Sequence, residues 1–137
     1  MNRMFKLIIL AGVSAFVAAP ASALDGNADA GAKVFTKCAA CHGIGDKPKP
    51  IAPTLNNVIG RTAGTDPDYL AKGAAGYSKA LIAAGQKGLV WTDDEILSWL
   101  TGPSKKVPGT KMAFPGLPKE QDRADVLAYI KTFSKQP

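Results

Sequence analysis

The sequence predicts a small, all-α, loop-rich domain. Three observations carry that reading: apolar residues recur at helical spacing in separate stretches, the segments between them are dense in Pro and Gly, and no run alternates as a half-buried strand does. No internal repeat or low-complexity segment interrupts the pattern.

The first 23 residues stand apart. Arg3 and Lys6 precede an apolar run from Leu7 to Ala19, and Ala21-Ser22-Ala23 closes the segment. A positive start, a short apolar middle and an Ala-x-Ala end form the pattern of a cleavable secretory signal over 1–23, leaving a domain of 24–137. The run is short and soon followed by Pro20, which suits a signal better than the alternative, a retained membrane anchor.

Asn27 to Ala40 reads as a helix, with Asp29 near its start and Ala30, Val34 and Cys38 four residues apart beside Phe35. Residues 43–64 carry Gly43, Gly45, Pro48, Pro50, Pro53 and Gly60 and read as loop. Short helical pieces are expected around Pro67–Lys72 and Lys79–Ala84, broken by Gly73, Gly76, Gly85 and Gly88. Thr92 and Glu95 have capping-box spacing at the head of a helix from Thr92 to Leu100. Its Ile96, Trp99 and Leu100 share a face, and Gly102-Pro103 is expected to stop it. Pro103 to Pro118 reads as a second loop. A terminal helix from about Lys119 to Ser134 sets Val126, Tyr129, Ile130 and Phe133 on one stripe.

Charge limits the choice of function. The formal net charge is +6, and loss of Arg3 and Lys6 with the signal leaves +4. That excess suits acidic protein surfaces or anionic lipid and is too dispersed to argue for nucleic acid. A domain of this size gains from an added stabilising group.

The chain has two cysteines and one histidine, and all three stand together as Cys38-Ala39-Ala40-Cys41-His42. C-x-x-C-H is the attachment signature of a c-type haem: two thiols add to the two vinyl groups and the adjacent imidazole binds iron. The rival readings fit less well. A thioredoxin-type pair needs a βαβ setting, a structural zinc site needs four ligands, and a plain disulfide leaves His42 and the long loops unexplained.

The ligand inventory narrows the second axial position. Once Met1 and Met4 leave with the signal, His42 and Met112 are the His and Met that remain. An isolated Met is ordinarily core filler. Met112 instead lies in a Pro/Gly loop, away from any helical stripe, which makes it the expected sixth ligand once haem is granted. His/Met ligation raises the reduction potential and fills both axial sites. That favours electron transfer over the competing classes, a haem peroxidase or oxidase subunit and a ligand sensor, which need an open site.

The chain resembles the class I c-type cytochromes, in particular the bacterial cytochrome c2 and mitochondrial cytochrome c branch. The resemblance rests on Cys38-Ala39-Ala40-Cys41-His42, Pro53-Thr54-Leu55 with Gly60-Arg61, Gly88-Leu89-Val90-Trp91, Pro108 to Phe114, and Arg123 to Ile130. It implies a cytochrome c fold wrapped around one covalent haem c. It also implies that the Pro53 carbonyl accepts a hydrogen bond from the ligating imidazole, and that Arg61 and Trp91 bond a haem propionate. Thr110 then belongs to the inner hydrogen bonds of the methionine loop. Gly31 and Phe35 would form the contact of the first helix with the last, near Tyr129. Two departures stand out: Lys79 is read at the position of a propionate-binding tyrosine, and Trp99 replaces a tyrosine that reaches the methionine sulfur. The longer stretch from Thr62 to Gly76 favours the bacterial branch.

The function expected is that of a periplasmic, monomeric electron carrier and not an enzyme, passing single electrons through an exposed haem edge. Lys105, Lys106, Lys111 and Lys119, near the methionine loop, are expected to dock redox proteins with acidic surfaces, including membrane respiratory or photosynthetic complexes.

Overall fold

Local hydrogen-bonding choices set where each helix starts. The computed structural model describes residues 24–47, 49 and 51–135; the expected signal segment 1–23 lies outside the described residues. In chain order the helices are α1 (Ala28–Phe35), α2 (Pro67–Leu70), α3 (Lys79–Gln86), α4 (Asp93–Trp99), α5 (Pro103–Lys106) and α6 (Glu120–Lys131), with a 3-10 turn at Gly73–Ala75. Among the described residues there is no strand, only the isolated bridges Ile44–Lys47 and Thr62–Val90. No helix among them is long and apolar enough to cross a membrane.

Four helices begin on a side-chain cap. Asn27, Asp66, Ser78 and Thr92 each hold an extended backbone and accept from an amide three residues on, which satisfies a donor the helix itself leaves unpaired. The expected capping box forms only by half. Thr92 Oγ1 accepts from the Glu95 amide at 3.2 Å, but the Thr92 amide goes to the Val90 carbonyl and Glu95 pairs with Lys106.

Several bounds differ from the sequence reading: α2 stops at Leu70, α3 runs through Gly85 to Gln86, and α6 ends at Lys131, short of Ser134. Two further differences are larger. The helix expected to run to Ala40 ends at Phe35. Beyond it Thr36, Lys37 and Cys38 bond to carbonyls three residues back, the tightening that helix ends adopt, and the turn carries on through Cys41. The second difference is α5, inside the segment expected to be loop. Pro103 ends α4's path but also starts a helix, because its missing N–H would be unpaired at a first position anyway.

The crossing of α1 and α6 closes the fold. Gly31 lies directly on the Asp125 carbonyl and beside the Tyr129 Cβ, so a β-carbon there would overlap the backbone of α6. The Phe35 and Tyr129 rings then meet with centroids 5.2 Å apart, as expected from the resemblance. On the inner face of α6, Val126 is 0% exposed and Leu127 and Ile130 are buried. Burying each such side chain contributes about 1.5–3 kcal/mol.

Asp125 ties the same crossing together. Its Oδ1 accepts from the Asn27 amide and from Gln121 Nε2, both at 2.8 Å. These two bonds, the backbone one first, hold its carboxyl below the ordinary 3.8, against a smaller opposing effect of desolvation. A depressed carboxyl stabilises the fold above the unfolded value, and that contribution is lost as pH falls through the folded value. Asp125→Asn is therefore expected to flatten the acid limb of a Tm-versus-pH curve below about pH 4 while leaving the neutral region nearly parallel to wild type. Parallel acid limbs would show that another carboxyl sets the acid sensitivity.

Candidate functional site

One apolar cavity gathers side chains from most of the chain. Cys38, Cys41 and His42 enter from the turn after α1; Leu55 and Val58 come from the following loop, and Leu81 from α3. α4 supplies Ile96 and Trp99, α6 supplies Ile130, and Thr110, Lys111 and Met112 come from the loop after α5. Neither cysteine is in a disulfide. Burial pushes the Cys38 thiol up, and the Lys37 charge partly offsets this. Ile51, 63% exposed, and Ala52 stand at the rim.

The orientation of His42 follows from one bond. Its Nδ1 lies 2.8 Å from the Pro53 carbonyl, which accepts only, so Nδ1 carries the proton. Nε2 of the neutral ring is then an acceptor. Burial holds the imidazole below its ordinary value, more than the Pro53 bond raises it, and the Arg61 charge lowers it further. A neutral imidazole is the form that ligates a metal. The Pro53 contact implied by the resemblance is thus present in the structure.

Met112 faces the same cavity. Its amide donates to Thr110 Oγ1 at 3.3 Å and its carbonyl accepts from the Phe114 amide at 3.0 Å, so the loop is braced on both sides of the thioether. Lys111 next to it reaches across to the Ala74 carbonyl at 2.6 Å and the Gly76 carbonyl at 3.2 Å.

Arg61 and Trp91 are brought together by backbone pairing. The Trp91 amide donates to the Arg61 carbonyl and the Gly60 amide to the Trp91 carbonyl, both at 2.9 Å. Both side chains line the cavity. Three N–H groups of Arg61 are engaged, with the Thr54 carbonyl, the Asn56 carbonyl and the carboxylate of buried Asp66. Trp91 is 8% exposed and its indole N–H has no partner among the described residues.

Several site residues were not legible. Lys79 is exposed at the start of α3 and outside the cavity; Tyr77, two residues earlier, lines it. At the position that the resemblance gives to a tyrosine, Lys79 thus brings no side chain to the cavity. The Tyr77 phenol is pushed up chiefly by burial, and the nearby Arg61 charge partly offsets this. Tyr69 packs edge-on against Tyr77 with centroids 4.8 Å apart. Asp66 had a signal, since an Asp before a Pro is an N-cap before an N1 residue. The tyrosines had none. Trp99 does line the cavity, edge-on to Trp91 at 5.1 Å.

The four lysines expected to act together are not equivalent. Lys106 Nζ is held by the Glu95 carboxylate and, at 3.0 Å, the Ser98 hydroxyl, and Lys111 is held by the two carbonyls above. Lys105 and Lys119 are exposed and form no ion pair among the described residues.

A family model described as Cytochrome c matches residues 28–134. The chain belongs to the cytochrome c family. This cytochrome c is 49% identical over 109 residues to cytochrome c2 of Rhodoblastus acidophilus, covering 79% of this chain and 94% of that one. It is 44% identical over 107 residues to cytochrome c2 of Agrobacterium tumefaciens, covering 77% and 91%. Among solved structures, cytochrome c2 from Rhodospirillum centenum aligns with a TM-score of 0.71 at 38% identity, over 80% of this chain and all of that one. The all-α, loop-rich fold is the class I cytochrome c fold.

Proteins of this family carry electrons and bind one covalently attached haem c with its iron. The residues present fit that group. Apolar walls suit the porphyrin faces, two unbridged thiols and a histidine whose Nε2 is an acceptor line one cavity, and the indole N–H of Trp91, which lines it too, has no protein partner among the described residues.

Proposed function

We propose that this cytochrome c is an exported, monomeric one-electron carrier. In this reading Cys38 and Cys41 would hold haem c through thioethers, and His42 and Met112 would ligate its iron. The observation that carries it is the meeting, in one cavity, of both thiols with the sole histidine and sole methionine of the described residues.

When bound, haem c supplies an iron that gains or loses one electron. The protein's part is to hold and tune it. His42 presents Nε2 while the Pro53 carbonyl keeps Nδ1–H fixed, which sets ring orientation and donor strength. Met112 presents a soft thioether, which favours the ferrous state. The two remaining N–H groups of Arg61 and the Trp91 indole N–H are donors for propionate oxygens, which are costly to bury bare. Thr110 braces the methionine loop.

The ferric holoprotein is expected to show a methionine–iron charge-transfer band, and the ferrous form is expected not to bind carbon monoxide. A missing band together with ready carbon monoxide binding would replace the carrier reading with an open-site function, a peroxidase or a sensor. The signal-like segment supports export to the periplasm, with cleavage after Ala23; a periplasmic protein whose first residue is Leu24 is the matching observation. Partners are redox proteins with acidic surfaces, met at the exposed lysines. Lys105 and Lys119 serve this docking better than Lys106 and Lys111, whose ammonium groups are already engaged within the chain.

A further inference from the structure

The loop that faces His42 is fastened in constant register. The His42 imidazole meets the Pro53 carbonyl, Thr54 Oγ1 lies 3.5 Å from the Gly43 carbonyl, and the Asn56 side chain meets the Gly45 backbone. Each link joins residues eleven apart. The links are unequal. Asn56 forms two bonds with one residue: its Oδ1 accepts from the Gly45 amide at 2.8 Å, and its Nδ2 donates to the Gly45 carbonyl at 2.9 Å. Its amide donates to Thr54 Oγ1 at 3.2 Å, and its carbonyl accepts from Arg61 at 3.4 Å.

We propose that Asn56 is the positioning residue for His42: by pairing with Gly45 it sets the 53–56 segment so that the Pro53 carbonyl meets the imidazole Nδ1–H. The inference rests on the reading of His42 as an iron ligand. Its physical basis is short reach. Gly45 is three residues beyond His42 and Asn56 is three beyond Pro53, so fixing one pair leaves the other little room to slip. A side chain with both a donor and an acceptor is needed, because Gly45 offers one of each.

Asn57 provides a control. It takes a left-handed backbone, φ 54°, and ties the segment to the other end of the fold: its amide donates to the Phe133 carbonyl at 3.0 Å and its Oδ1 accepts from the Lys135 amide at 3.0 Å. Asn57→Ala removes the one side-chain bond to the Lys135 amide and adds left-handed backbone strain, so it perturbs the same segment without touching the Gly45 pairing.

The test uses holoprotein labelled with nitrogen-15 histidine, in which the one histidine of the chain gives one imidazole. In the ferrous state, Asn56→Ala is expected to speed exchange of the Nδ1–H proton about tenfold, as loss of one or two hydrogen bonds allows. The reduction potential is expected to rise, because a looser carbonyl contact weakens the imidazole as a donor. Asn57→Ala is expected to leave both readouts at wild-type values. If Asn56→Ala does not fold, Thr54→Val removes the adjoining links and gives smaller shifts in the same directions. Wild-type exchange and potential in the folded Asn56 variant, or equal shifts in Asn57→Ala, would overturn the proposal. A wild-type imidazole with no sign of iron at Nε2 would instead overturn the ligand reading on which it rests.

Discussion

Gly31→Ala is expected to lose about 3 kcal/mol of stability, a large part of what a domain of this size possesses. The added methyl would meet the Asp125 carbonyl, and that atom belongs to the backbone of α6. A flexible side chain can turn aside from a new methyl; a helix backbone moves only by shifting the helix. Such a shift would pull Tyr129 from Phe35 and Asp125 from the Asn27 amide, and it would loosen Val126, Leu127 and Ile130 in the core. Gly60→Ala separates this steric cost from the general effect of losing a glycine. Gly60 has open space around its Cβ position but φ of 78°, so its cost is backbone strain of about 1–2 kcal/mol. Urea unfolding of the two variants should give clearly different midpoints. Equal midpoints would mean that close approach of α1 and α6 is not what holds the crossing.

Met112→Ala is expected to change the chemistry while leaving the fold in place. Met112 is only partly buried and belongs to a loop braced by Thr110, Phe114 and Lys111, so removing its side chain leaves those bonds intact. The proposed sixth position would open. The ferric charge-transfer band should vanish and the ferrous protein should bind carbon monoxide. The potential should fall by on the order of 100 mV or more, a modest share of the roughly 0.8 V that axial ligands command. A variant with an unchanged band and potential would remove Met112 from the iron and return the choice of function to the open-site classes.

The sequence and the fold agree most where one residue type carries a strong local signal. The stripe of Val126, Tyr129, Ile130 and Phe133, the cap at Thr92 and the Cys38–His42 motif were all readable, because periodicity, capping and ligand chemistry are local matters. Pro103 misled for a physical reason: proline ends one helix and begins another with equal ease, and only the next turn decides. The cavity tyrosines were hidden in a glycine-broken stretch without periodicity. There the choice of Tyr77 over Lys79 depends on where α3 begins, set by the Ser78 cap. The engagement of Lys106 and Lys111 within the chain was hidden differently. Their partners, Glu95 with Ser98 for Lys106 and the carbonyls of Ala74 and Gly76 for Lys111, come near only once the chain has folded.

The α1–α6 crossing also bears on the order of events in biosynthesis. It joins residues 31 and 125, so the contact has a long sequence separation and must wait until nearly the whole chain has been delivered. During that interval Cys38, Cys41 and His42 belong to a chain whose closing helix has not docked. The thiols that the finished fold gathers at a walled cavity are then open to any machinery that must reach them. Late closure gives covalent loading a kinetic window, and the docking of a single twelve-residue helix ends it.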